Sequence, residues 1–511
     1  MLAKVWSAAT LGIDAVRITI EVFAGGGGQP GFTLVGLPDT AVREAYSRVR
    51  SALANCGFYL PPRHITVNLS PADVKKEGSA FDLPIAVGIL QVAEFLRTED
   101  VAGRVFVGEL SLDGSVRPVR GVLPVSAALA GEREIRELIV PAGNANEAAA
   151  VRTLNVVGAP HLLALVPHLR GSAPLPRAES VVACDDGGPD EVDFSDVRGQ
   201  AQAKRALEVA AAGGHNVLMI GPPGSGKTML ARRLPAILPR LSLDEAIATT
   251  KIHSVAGTLP AGSGLLTRRP FRAPHHTIST AGLAGGGTLP RPGEVSLAHH
   301  GVLFLDELAE FRRDTLEVLR QPMEDGVVTI ARASRTVTFP SRFMLAAALN
   351  PCPCGYFHHP SRACLCTPQQ VAHYLSKISG PLLDRVDLQV EVAALRSEDV
   401  MSLEPGESSA SIRKRVERAR EIQRERFRRT SVQCNAGMAA RHLRKCCELD
   451  PPSRRLLTQA IERLGLSARA HDRILKVART IADLAEEERI ASAHIAEAVQ
   501  YRMLDRGYFR D

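Results

Sequence analysis

No stretch of this sequence stays apolar for long. Runs such as Leu83–Leu90 (LPIAVGIL) fall far short of the roughly 18 residues a membrane helix needs, so no membrane span is expected. The opening, MLAKVWSAATLGIDAVRI, lacks the apolar run and small-residue cleavage site of a secretory leader. Both absences point to the cytoplasm, where thiols stay reduced and clustered cysteines signal a metal more often than a disulfide. Cysteine is itself sparse, nine in 511 residues. A strong charge imbalance is missing too: 62 basic against 55 acidic side chains leave +7, a mild bias toward nucleic acid that decides little alone. The remainder, 45% hydrophobic and 23% charged, is that of an ordinary soluble chain. Its length is too great for one core and suits roughly two to four domains.

What is present is organised around one break. Residues 171–192 (GSAPLPRAESVVACDDGGPDEV) mix Gly, Pro, Ser and acids without an apolar period and read as a linker. Before it, residues 1–170 alternate β-like runs (VRITIEVF, HITVNL, VFVGEL, ELIVP) with helix-like ones (DTAVREAYSRVRSALANCG, FDLPIAVGILQVAEFL), the pattern of an α/β or α+β domain. After it, HNVLMIG, GVLFLDE and FMLAAALN are short, nearly continuous apolar runs, which suit buried parallel strands with helices on both faces. From about residue 397 to 511 the pattern turns helical. There Ile474, Val477, Ala478, Ile481 and Leu484 form one stripe, with Ser467 as the expected N-cap. The expected architecture is thus α/β, with a parallel-sheet domain over 193–396 and an all-α lid over 397–511.

Gly221-Pro222-Pro223-Gly224-Ser225-Gly226-Lys227-Thr228 fits G-x-x-x-x-G-K-[ST], placed after the strand-like HNVLMI and before the helix-like MLARRLPAIL. Glycines there let backbone N–H groups wrap a phosphate at a helix N-terminus. Lys227 would reach the β- and γ-phosphates of ATP, and Thr228 would ligate Mg²⁺. Downstream, Gly301-Val-Leu-Phe-Leu-Asp306-Glu307 is an apolar strand ending in two acids. Asp306 suits Mg²⁺, and Glu307 suits positioning of the attacking water.

With these motifs in place, the chain resembles AAA+ ATPases of the magnesium-chelatase-like ComM/YifB family, relatives of the chelatase ATPase subunit and the MCM helicases. The resemblance runs nearly end to end: VGLPDTAVRE, NLSPADVKKEG, GPPGSGKT, FRAPHHTIS, PRPGEVSLAHHGVLFLDE, LNPCPCGY, SGPLLDRVDL and LKVARTIADL. It implies that Asn350 is the sensor-1 amide, that Arg385 in LLDRVD is an arginine finger offered to a neighbouring subunit, and that Arg469 in SARAHDR is sensor 2, with Arg473 as runner-up. A finger acting in trans forces a head-to-tail assembly that closes as a ring. The resemblance implies a hexamer.

What such a motor acts on is open to more than one reading. GVVTIARASRTVTFPSRF reads as a hairpin whose tip carries Arg332 and Arg335. In chelatase-like and MCM-like relatives such insertions face the ring's pore, where arginines suit a salt-sensitive, sequence-independent grip on DNA phosphates. A second basic stretch, Ser411 to Lys445, holds twelve Lys/Arg against three Glu and suits either DNA or a solvated helix face. The family associates ComM-type members with branch migration during integration of transforming DNA, so single-stranded or branched DNA is one expected partner. A protein client, as in the chelatase system, is the other. The chelatase partner-facing motif D-x-[ST]-x-S is not found. The segment VKKEGSAFDLPIAVGIL resembles Lon protease, with Ser79 in the nucleophile context. Lon-type chemistry needs a lysine base, yet no lysine occurs between Lys76 and Lys204. A non-proteolytic binding or assembly module is expected.

The remaining signal is NPCPCGYFHHPSRACLC. Cys352, Cys354, Cys364 and Cys366 could close a tetrahedral Zn²⁺ shell, with His358 or His359 able to replace one thiolate. Free reduced thiols and an iron–sulfur cluster are the alternatives.

Overall fold

The computed structural model describes residues 1–25, 31–60, 62–76, 78–179, 192–260, 262–287, 290–332, 335–359, 362–394, 406–504 and Tyr508. Most of the expected linker, residues 180–191, lies outside them. The chain divides into two compact units.

The first unit holds residues 1–186, 242–267 and 331–339. Its mixed seven-stranded sheet runs in the order Gly31–Val35, His64–Ser70, Asp14–Ala24, Leu2–Leu11, Arg104–Phe106, Glu137–Pro141, Val156–Ala159. The central pair, Leu2–Leu11 with Asp14–Ala24, is an antiparallel hairpin, whereas Arg104–Phe106 and the two strands beyond it pair in parallel. The apolar run LPIAVGIL becomes the helix Asp82–Val92, every residue of which is buried. It lies so close on the sheet that a Cβ at Gly88 would come 2.5 Å from Val22 Cγ2, so only glycine fits there. Residues 242–267 and 331–339 were expected within the 193–396 ATPase domain but group with this unit by contact. Part of the reason is polar. The buried Glu147 carboxylate accepts the Leu123 N–H at 3.0 Å and the Ser254 hydroxyl, while Asn146 Nδ2 donates to Gly262 O at 2.9 Å. Buried carboxylates must find such partners.

The second unit holds residues 187–241, 268–330 and 340–511. Its sheet runs Phe271–Arg272, Val302–Leu305, Met344–Leu349, Val217–Ile220, Leu388–Glu391, all parallel. The three apolar runs read from the sequence are its three inner strands, completely buried as a parallel sheet requires. Beyond it come the helices Ser409–Phe427, Ala440–Cys446, Pro451–Leu464, Ala468–Leu484 and Ser492–Gln500. Ser467 caps Ala468–Leu484, its hydroxyl accepting the Ala470 N–H at 3.3 Å. Ile474, Val477, Ala478 and Ile481 are buried in the core shared with the sheet, and each large aliphatic among them contributes about 1.5–3 kcal/mol.

Candidate nucleotide site

In parallel sheets, sites form where strands end and their loops begin. Val217–Ile220 runs directly into Gly221, and Lys227 opens the helix Lys227–Ile237. Gly224 and Gly226 take φ of 77° and 92°, with nothing within 4 Å of a Cβ at either. The backbone conformation, not crowding, therefore demands glycine. Lys227 is 8% exposed. Its Nζ donates to Gly221 O (2.7 Å), Pro222 O (2.8 Å) and Asn350 Oδ1 (3.2 Å). Burial pushes its pKa down to about 8, opposed by the charges of Asp306 and Glu307.

Asp306 and Glu307 follow the strand Val302–Leu305, and Asn350 follows Met344–Leu349. Thr228 Oγ1 donates to Asp306 Oδ2 at 2.6 Å, so a hydroxyl and a carboxylate converge as hard oxygen donors of the kind Mg²⁺ takes. Glu307 turns the chain with a left-handed φ of 52°, and its side chain is 53% exposed. Its Oε2 lies 3.6 Å from Nδ1 of His276. That histidine sits in the FRAPHHTIS segment and was not foreseen as a neighbour; nothing local in the sequence marks it. One sheet edge thus carries a phosphate cradle, an ammonium, a cation-binding pair, an exposed carboxylate and an amide. These parts can orient water against a polyphosphate.

Arg385 and Arg469 are placed elsewhere. Asp387 accepts the backbone N–H of Asn216 at 3.0 Å, and Asn216 Nδ2 donates to Arg385 O at 3.0 Å. Asn216 precedes the strand whose far end becomes the phosphate loop, and that strand, four residues long, spans roughly 13 Å. Arg385, 7% exposed, is ion-paired with Glu324 and donates to Pro381 O at 2.6 Å, while its Nε has no partner. With Arg469, Arg473 and Lys476 it lines a cleft of about 190 Å³, which Glu324, Asp384 and Asp472 complete. Arg473 pairs with Asp387. Although burial works to raise the Asp387 pKa, Arg473 and His215 hold it well below the usual carboxylate range. The four cations gather at the amino-terminal edge of the sheet, away from the phosphate loop of their own chain.

The two strands of the expected hairpin, Val327–Arg332 and Arg335–Pro340, pair as a two-stranded sheet. The side chains of Arg332 and Arg335 lie outside the described residues. Within the basic stretch 411–445, several cations hold the helix Ser409–Phe427 in place. Arg415 pairs with Glu208 and Glu407, Arg418 with Glu486, and Arg426 with Asp483, while Arg420 donates to Ala211 O. In the first unit, Ser79 donates its hydroxyl to Glu109, and the buried Lys76 ammonium is engaged by Pro71 O. Val125, Ser126 and Leu129, within the lysine-free span, are buried.

The four cysteines do converge. Their sulfurs all lie within 4.8 Å of one another, with Cys352–Cys354 at 3.4 Å and Cys364 at 3.6 Å from each. A tetrahedral zinc with bonds near 2.3 Å sets its sulfurs about 3.8 Å apart, so the spacing fits a closed four-thiolate shell. Backbone N–H groups of Tyr356 and Leu365 point at Cys354 and pull its thiol down to about 6.

A parallel sheet with this phosphate loop and paired acids defines an AAA+ P-loop protein of the magnesium-chelatase type. The family described as "Magnesium chelatase, subunit ChlI" matches residues 193–400, with "Subunit ChlI of Mg-chelatase" over 20–144 and "Magnesium chelatase, subunit ChlI C-terminal" over 406–502. The chain belongs to the ComM/YifB family within that class. It is 47% identical to Competence protein ComM of Haemophilus influenzae over 509 residues, 99% of this chain and 98% of that protein. It is 44% identical to the uncharacterized protein YifB of Escherichia coli over 507 residues, 99% and 98% of the two chains. The N-terminal region is Lon-related: Lon protease 2 of Bacillus subtilis is 32% identical over 154 residues, 27% of this chain and 26% of that protein. Among the described residues, no helix is long and apolar enough to cross a membrane.

Proposed function

We propose that this protein is a ring-forming ATPase that couples ATP hydrolysis to remodelling of single-stranded or branched DNA, in the manner its likeness to a competence protein suggests. The observation that carries the ring is the separation of the two charged sites. Lys227, Thr228, Asp306, Glu307 and Asn350 sit at the carboxyl edge of the sheet, while Arg385, Arg469 and Arg473 gather at the amino edge. The arginines cannot reach their own chain's phosphates. A head-to-tail neighbour brings the amino edge of one subunit to the carboxyl edge of the next, and repetition closes a ring, six subunits in our reading.

Within one site, backbone N–H groups and Lys227 bind the ATP phosphates, and Thr228 with Asp306 would hold Mg²⁺, which would neutralise phosphate charge. Glu307 positions the attacking water, and Asn350 orients that water or the terminal phosphate. The neighbour's arginine cleft supplies the cation that would meet charge developing in the transition state. Cys352, Cys354, Cys364 and Cys366 would hold a structural Zn²⁺, because four thiolates leave no position open for water.

ATPase turnover measured with and without forked DNA tests the client. Stimulation that is absent in a Glu307→Gln protein still able to bind ATP supports the DNA reading. Turnover indifferent to single-stranded and forked DNA favours a protein client of the chelatase kind.

A further inference from the structure

We propose that the cysteine cluster and the nucleotide site are thermodynamically coupled: zinc on Cys352, Cys354, Cys364 and Cys366 sets the affinity of the phosphate loop for ATP, and ATP in turn tightens zinc. The proposal rests on the nucleotide-binding reading above and extends it to regulation of the same site.

Two physical routes run from the sulfurs to the phosphate-binding groups. The first is a backbone contact. Gly355 follows Cys354 at φ 82°, and its N–H donates to Cys352 O at 3.0 Å. A Cβ there would come 2.5 Å from Cδ and 3.1 Å from Cγ of Pro223, so the cysteine turn lies flat against the phosphate loop. The second route leaves from the other end of the cluster. Thr367, next after Cys366, caps the helix Pro368–Ser376 through a capping box with Gln370. That helix carries Tyr374, 4% exposed, whose hydroxyl lies beside the backbone of Asn350. Asn350 in turn accepts Lys227 Nζ at 3.2 Å.

Zinc ties the two ends of the segment 352–366 together, fixing the turn under Pro223 and the start of the helix that carries Tyr374. Without the tie, the ordering cost of that segment returns and is met in part when nucleotide binds, which weakens binding. Linkage makes the effect reciprocal.

The full chain tests this with a fluorescent ATP analogue, titrated in zinc-loaded protein and in protein stripped by a chelator that is then removed. Typical couplings of this kind are about 5- to 150-fold, so at least about fivefold tighter binding with zinc is expected. Stripping could unfold the chain, so a second measurement uses loaded protein alone: zinc should pass to a chromogenic chelator at least about fivefold more slowly when the analogue is bound. Tyr374→Phe keeps all four thiols and should still bind zinc while losing part of the coupling. Equal nucleotide affinity with and without zinc, equal zinc release with and without nucleotide, or a native chain that takes up no zinc would overturn the proposal. Absence of nucleotide binding by the zinc-loaded chain would instead overturn the ATP reading on which it stands.

Discussion

Binding of ATP should draw a proton onto Lys227. Burial holds its pKa down to about 8, from an ordinary value of 10.5. A polyphosphate beside Nζ adds several negative charges and should restore the pKa above about 10. At pH 8 half of the free chains carry a neutral amine, so each ATP bound should take up about half a proton, rising to about 0.9 at pH 9. If only the ammonium binds, affinity falls roughly tenfold between pH 7 and pH 9, which is about 1.4 kcal/mol. A phosphate monoester's last proton has a pKa near 6, so work at pH 8 and above isolates the lysine. Calorimetric titration in two buffers of different ionisation enthalpy reads the proton count directly. Lys227→Arg, charged throughout, should show no uptake. The free protein should also gain stability as pH rises from about 8 to 10.5, because the unfolded chain there holds a proton that the folded chain has released. No uptake between pH 8 and 9, with unchanged affinity, would refute the argument.

Three further outcomes are expected. Arg385→Ala should leave ATP binding within a few-fold and lower kcat by a factor on the order of 10³; mixing it with Glu307→Gln subunits should restore some turnover, and failure to do so would rule out action in trans. Replacing both Arg332 and Arg335 with alanine should weaken DNA binding and flatten its salt dependence while basal ATPase persists; unchanged affinity would move the DNA site off the hairpin. His299 is buried, accepts the Arg342 N–H at 3.0 Å, and is pushed by burial to a pKa of about 2. The unfolded chain takes up that proton below about pH 6.5, so stability should fall as pH drops, by about 1.6 kcal/mol between pH 6.5 and 5. In urea melts His299→Asn should flatten this slope, and an unchanged slope would assign the acid sensitivity to other groups.

The sequence by itself determined the features whose causes are local. Continuous apolar runs made the three inner strands, the glycine pattern made the phosphate loop, and Ser467 marked a helix start, because each depends on residues within a turn or a strand length. The four cysteines were legible as a cluster for the same reason, being fifteen residues from end to end. Tertiary structure decided the rest. Lys227 meets Asn350 across 123 positions of sequence, Arg385 finds Glu324 across 61, and Arg473 finds Asp387 across 86. Such pairings follow from which strand lies beside which, and no spacing rule encodes them. The same holds for Gly355 against Pro223, for Glu109 beside Ser79, and for residues 242–267, which the sequence placed with the ATPase and packing placed with the N-terminal unit. Only the direction of the parallel strands put the arginines at one edge and the phosphate loop at the other. Local chemistry supplied the parts of a nucleotide site, and long-range packing determined which of those parts a single subunit can bring together.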